Sequence, residues 1–174
     1  KGLLGQHVGV DRVIRPALDL LRARGATLVE VELSSDAYAS AELEVLLFEF
    51  KADLEAYLAR RGGPVRDLAA LLAFDEANAE RELAWFGHEL VAQAAAKGGL
   101  DAPEYKKARE ACAAARRDIE AGLDRERLDA FVAPTDGPAW LTDLPNGDRY
   151  GPSCSTYAAV AGTPHVTVPA GAYH

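Results

Sequence analysis

Gly151-Pro152-Ser153-Cys154-Ser155 places two hydroxyls and a thiol within one short run, and His165 follows ten residues after Ser155. A serine or cysteine beside a histidine base could attack a carbonyl and form an acyl-enzyme. The run departs from the G-x-S-x-G elbow, because Ser155 stands where the second glycine belongs and an irregular loop, not a strand, precedes it. At the start of a small-residue helix, Ser153 or Ser155 reads more simply as a cap that accepts from a free N–H. His165 reads as a strand-end residue, and nothing near Cys154 in sequence would lower its pKa. Asp136, Asp143 and Asp148 could supply an acid and a base, but a solvated acidic loop is the simpler account. His7, His88, His165 and His174 lack the Cys or His neighbours that metal ligation needs, so no metal is expected.

These residues must be held by the elements around them. Ala158, Ala159, Ala161 and Gly162 suit a short helix that packs closely against another element, and Gly162-Thr163-Pro164 stops it. A strand follows over 165–168, with Val166 and Val168 on one face. The buried-type run 128–133, closed by Pro134, predicts a second strand. Between them the long connection 135–151 holds Thr135, Asp136, Trp140, Asp143, Asn146, Asp148 and Tyr150, and loops of that length inside compact domains are often functional.

Earlier in the chain, Val13, Ile14, Ala17, Leu18 and Leu21 predict an amphipathic helix stopped at Gly25, and alternation over 27–33 predicts a strand. A helix over 37–60 carries Leu43, Leu46, Leu47, Phe50, Leu54, Tyr57 and Leu58, with Lys51 and Glu55 as an i,i+4 pair. Asp67 caps the next helix, 68–76. A third, about 80–96, packs through Leu83, Phe86, Leu90, Val91 and Ala94. Pro103 opens a fourth whose stripe is Tyr105, Ala108, Cys112, Ala115, Ile119 and Leu123. The fold class is α/β: strands at about 27–33, 128–133 and 165–168 beneath a mostly helical layer. The organisation is a helix–strand unit (1–33), a helical layer (34–124), and core strands with a pocket loop (125–174).

The chain has 174 residues, 49% of them hydrophobic, enough for one domain with a core. No apolar run approaches the roughly 20 residues that cross a bilayer, so no membrane partner is expected. A net charge of -8 argues against nucleic acid. Cys112 and Cys154 permit one disulfide, but a reducing, cytoplasmic setting with free thiols is favoured.

Several segments resemble the amidase signature family, serine hydrolases that cleave carboxylic amides through a Ser-Ser-Lys triad. Ala-Val-Ala-Gly-Thr-Pro-His-Val-Thr-Val-Pro-Ala-Gly (159–171) looks like that family's late core segment. Phe48-Glu49-Phe50-Lys51 with Tyr57-Leu58 resembles its Glu-Phe-Lys helix. Arg66 to Asp75, Phe86-Gly87-His88-Glu89, Tyr105 and Leu128 to Thr135 resemble further landmarks in the same order. The nearest likeness is to broad bacterial amidases and aminohexanoate cyclic-dimer hydrolases.

The resemblance implies the later half of an amidase: a partial amidase-like domain acting on a small-molecule amide, with no cofactor. The family's Gly/Ser-rich nucleophile stretch and its catalytic lysine have no counterpart here, so no catalytic residue is assigned. Lys51 belongs to the helix motif and not to the triad. The resemblance places Asp136, Trp140, Ser153 and Tyr157 nearest the substrate pocket. Relatives that use glutamine place an acid where Pro152 stands, which argues against an amino-acid amide as preferred substrate. Two other readings stay open. One is a short, non-catalytic helical scaffold derived from the same fold. The other is a complete small hydrolase using Ser153 or Ser155 with His165. Strands separated by long connections leave unpaired edges, through which the chain could form a homo-oligomer.

Overall fold

A computed structural model of the chain describes residues 3–32, 38–151 and 153–172. Seven helices are formed among them: α1 (Val8–Ala23), α2 (Ala39–Arg61), α3 (Leu68–Ala77), α4 (Ala79–Glu82), α5 (Glu89–Ala95), α6 (Pro103–Glu126) and α7 (Ser155–Ala161). The chain divides into two compact units, Ala37–Cys112 and Lys1–Asp36 with Ala113–His174, and α6 contributes to both. No helix among the described residues is long and apolar enough to cross a membrane.

The unit Ala37–Cys112 is built by α2, α3 and α5 packing together. Its core is Leu47, Leu68 and Ala94, with Leu54, Leu71, Val91 and Ala95 against them. Leu68 is wholly buried because Asp67, directly before it, starts the helix: the Asp67 carboxylate accepts from Ala70 N at 2.7 Å. Gly62, left-handed at φ 74°, ends α2 as its position after the last periodic residue predicts. The face α2 buries differs from the predicted stripe. Val45, Leu47, Phe48 and Leu58 are buried, whereas Leu43, Leu46, Phe50 and Tyr57 stay exposed. A sequence of apolar residues on nearly all sides leaves tertiary partners to choose the face, and α3 and α5 choose it here.

The predicted helix over 80–96 is two helices, α4 and α5, separated by 83–88. Gly87 and His88 are poor helix formers, so α5 starts after them, where it packs against α3; His88 Nδ1 lies 3.5 Å from Asp75 Oδ2 without a hydrogen bond. Phe86 and Leu90, expected to pack, are exposed instead.

Lys51 does not pair with Glu55. Its Nζ donates to the carbonyl of Ala95, at 3.0 Å, and to that of Lys97, while Glu55 Oε1 accepts from Leu68 N at 3.5 Å. The last carbonyls of a helix have no intrahelical donor, so an ammonium arriving from α2 satisfies that of Ala95, the last residue of α5, together with that of Lys97 just past the cap, and meets the negative end of the α5 dipole. Lys97 in turn bonds Glu44 at 2.7 Å and sits over the Phe48 ring. Phe48 meets Tyr105 at 5.5 Å between centroids, and the Tyr105 hydroxyl donates to Glu49 at 2.6 Å. That bond, and burial after it, hold the Tyr105 phenol above its ordinary range. Substituting Lys51 by methionine keeps the stem and removes the donor. Charged hydrogen bonds of this kind are worth about 1.5–3 kcal/mol, and a drop of that size in urea-unfolding stability is the expected result.

α6 follows its predicted stripe, with Ala108, Cys112, Ala115 and Ile119 buried and Pro103 as its first residue. Burial raises the Cys112 thiol above its usual pKa, and Cys112 and Cys154 are both free. In the other unit, α1 starts at His7, whose Nδ1 accepts from Val10 N, and it ends at Gly25, φ 96°, after Ala26 N bonds Leu21 O.

The three predicted strands are not formed as strands among the described residues. Segments 27–32, 128–134 and 163–171 run without helix or ladder, and Leu33, the last residue of the first predicted strand, lies outside the described residues. The alternating pattern is real, but a strand exists only where a neighbour takes its backbone groups. Val29, Val132, Val166 and Val168 accordingly remain 47%, 57%, 82% and 72% exposed. Directly after segment 128–134, the Thr135 hydroxyl lies 3.1 Å from that of Thr167 in segment 163–171.

Candidate functional site

Thr135 is the corner at which the long loop meets the start of α7. Its carbonyl accepts from Cys154 N at 3.1 Å and from Ser153 Oγ at 3.1 Å, joining the start of the long loop to the start of α7. With the Ser153 proton given to Thr135 O, the Ser155 hydroxyl donates to Ser153 Oγ over 2.8 Å. Ser153 Oγ also accepts from Ser155 N, the first residue of α7, at 3.3 Å. The expected serine cap is not formed as such: Cys154 takes the N-cap position with no side-chain cap bond, and Ser153, one residue earlier, accepts from the helix backbone only at Ser155 N.

This arrangement does not resemble an activated nucleophile. The Ser153 proton points to a main-chain carbonyl, which cannot take it, and the hydrogen bonds of the two serines run to Thr135 and to each other, not to His165, which is exposed. Burial pushes the Cys154 thiol up, its own backbone N–H pulls the other way, and the Asp136 carboxylate adds to the rise. A thiol so placed is a poor nucleophile.

The loop after Thr135 closes on itself. Gly137 and Gly151 approach so nearly that a Cβ on Gly137 would stand 2.7 Å from Gly151 Cα. Above this neck, Trp140 Nε1 donates to Asp148 Oδ1 at 3.1 Å, and the Tyr150 hydroxyl donates to Asp148 Oδ2 at 3.3 Å. The two rings meet edge to face at 5.3 Å. At the tip, Asp143 accepts from Asn146 N at 3.1 Å and Asn146 Nδ2 at 2.8 Å, with Gly147 left-handed at φ 73°.

Of the four residues expected nearest a pocket, Ser153 lies at the Thr135 corner and Tyr157 is a half-buried residue on α7. Asp136 is exposed and bonds the adjacent Gly137 N at 2.7 Å. Trp140 stands half-buried in the loop. Pro152, on which the substrate argument against amino-acid amides turned, lies outside the described residues. Asp148, read in the sequence as one of three candidate carboxylates on a solvated loop, is the acceptor for both rings, and Gly137 with Gly151, to which no role was given, form the neck. Their signal in the sequence was a pair of glycines bracketing a loop with an aspartate between two aromatics.

No family model matches the chain, and no curated protein matches it. Solved structures do. The chain is 42% identical to the peptide amidase PAM, solved with the competitive inhibitor chymostatin, at a TM-score of 0.81 over 90% of this chain and 32% of that one. It is 43% identical, with a TM-score of 0.75, to the native peptide amidase from Stenotrophomonas maltophilia, over 87% of this chain and 31% of that one. A structure of PAM12A gives 44% identity and a TM-score of 0.79. The chain thus spans about a third of the length of the solved structures it matches, and its fold is similar to that part of an amidase.

Proposed function

We propose that this chain is the later portion of an amidase-signature hydrolase that cleaves carboxylic amides through a serine acyl-enzyme, with the Ser-Ser-Lys triad supplied by sequence outside residues 1–174. The observation that carries the reading is the likeness to peptide amidases, at 42–44% identity along 87–90% of the chain. In such a reaction the lysine takes the proton of the bridging serine, which activates the nucleophile. Backbone amides stabilise the oxyanion, and water resolves the acyl-enzyme. This chain contributes a wall of the substrate pocket through Asp136, Trp140, Ser153 and Tyr157. The extended segments with exposed valines support the same reading, because they are suited to pair with strands from the rest of the enzyme. Peptide amides are the substrate class to try first, given what the matched enzymes are called.

The test is turnover of a C-terminally amidated dipeptide and a short aliphatic amide by the full-length protein and by this chain alone. The full-length protein is expected to hydrolyse an amide, and the chain alone to hydrolyse none. Ser153→Ala in the full-length protein should retain turnover, with KM raised. A loss on the order of 10⁴ in kcat, as removal of a triad member produces, would make Ser153 the nucleophile and overturn the proposal.

A further inference from the structure

In the loop 137–151 two aromatic side chains, Trp140 and Tyr150, bond the one carboxylate of Asp148 and meet edge to face. We infer that Asp148 is a positioning residue for Trp140, and that the platform it holds receives the bulky apolar or aromatic group flanking the scissile amide. The inference rests on the proposed amidase reading and extends it to a substrate preference. Each oxygen of the Asp148 carboxylate has one ring to hold: Oδ1 takes the Trp140 indole N–H at 3.1 Å and Oδ2 the Tyr150 hydroxyl at 3.3 Å. With both polar handles directed at one carboxylate, the indole and phenol faces are left for apolar contact, and the edge-to-face geometry at 5.3 Å fixes their mutual angle. Tyr150 is 81% exposed and Leu141, next to Trp140, is 90% exposed, so nothing else among the described residues takes up this apolar surface. The loop is also anchored at the right corner. Its neck, Gly137 against Gly151, lies directly beyond Thr135, whose carbonyl holds Ser153.

A rigid platform adds binding energy only for substrates large enough to reach it, so its loss must appear as selectivity and not as a general loss of rate. In the full-length protein, Asp148→Ala should lower the kcat/KM ratio of an amidated dipeptide bearing phenylalanine over a short aliphatic amide by about tenfold. The change should lie in KM for the dipeptide, with the aliphatic amide unaffected. Asp148→Asn keeps an acceptor for the indole and should retain most of the ratio. Trp140→Phe keeps a ring but loses the N–H, and combining it with Asp148→Ala should add little to either alone. In protein labelled with 5-fluorotryptophan, the resonance identified by its loss in Trp140→Phe should move on Asp148→Ala. Equal losses on both substrates, additive single effects, or an unmoved Trp140 resonance would each overturn the inference. A wild-type protein that hydrolyses neither amide would overturn the amidase reading and this one with it. A wild type that hydrolyses both, with a ratio indifferent to Asp148, would overturn this one alone.

Discussion

Leu68→Ala is expected to remove about 2–5 kcal/mol from the unfolding free energy. Among the described residues Leu68 is the largest side chain with no exposure at all, and it stands where α3 meets α2 and α5, touching the cluster of Leu47 and Ala94 with Leu54, Leu71, Val91 and Ala95 around it. Truncation leaves a cavity among residues whose positions are fixed from three helices, so little collapse is available to fill it. Against a total stability of about 5–15 kcal/mol for a domain, that is a large fraction. The measurement is native-state hydrogen exchange of α2, α3 and α5 amides, with urea titration beside it. Protection should fall together in all three helices, since a shared core opens as one cooperative unit. Leu68→Met, which conserves volume, should cost under about 1.5 kcal/mol. Loss confined to α3, or a cost no larger than that of the methionine variant, would place the stabilising core of this unit elsewhere.

Local chemistry was readable from the residues wherever one residue decides the outcome by itself. Asp67 as a helix start, Gly25 and Gly62 as stops, and Pro103 at a first turn all act within one helical turn, so their effect depends on little else in the chain. The α6 stripe was readable too, because its apolar residues are separated by charged ones and leave only one face to bury. Where apolar residues surround the helix, as on α2, periodicity cannot select a face, and Leu43 and Leu46 were assigned to the core in place of Val45 and Phe48.

Lys51 shows the other limit. Its i,i+4 neighbour Glu55 offers a weak exposed pair of about 0.2–0.5 kcal/mol, whereas the open carbonyls at and just after the end of α5 offer stronger bonds from residues more than forty positions away. Only the packing of α2 against α5 brings those carbonyls within reach. The strand pattern failed to give strands for a related reason: alternation at 165–168 fixes which side chains share a face, but the ladder belongs to a pair of segments. At the candidate site, Trp140 and Ser153 could be named from resemblance. The Asp148 acceptor and the glycine neck became visible only when the loop closed.

That neck supplies the other large expected effect. Gly137→Ala puts a Cβ 2.7 Å from Gly151 Cα, and Gly151→Ala puts one 2.6 Å from Gly137 Cα. Both obstructions are main chain, which has no rotamer to turn aside, so the two limbs of the loop must separate. Forcing apart a fitted contact costs about 1–3 kcal/mol, and the structure it opens is the one that sets Trp140 and Tyr150 on Asp148. The expected result is rapid proteolytic cleavage within 138–150 and, in the full-length protein, a loss of amide turnover greater than that of Asp148→Ala. The two alanines together should cost less than the sum of the two singly, because the first already opens the contact that the second would violate. Gly63→Ala is the control: no atom lies within 4 Å of its added Cβ, and its backbone is not left-handed. It should leave stability unchanged or raise it by about 0.4–1 kcal/mol. If Gly137→Ala instead behaves like the control, with the loop protected and turnover intact, the neck yields at no cost and the platform is not held by it.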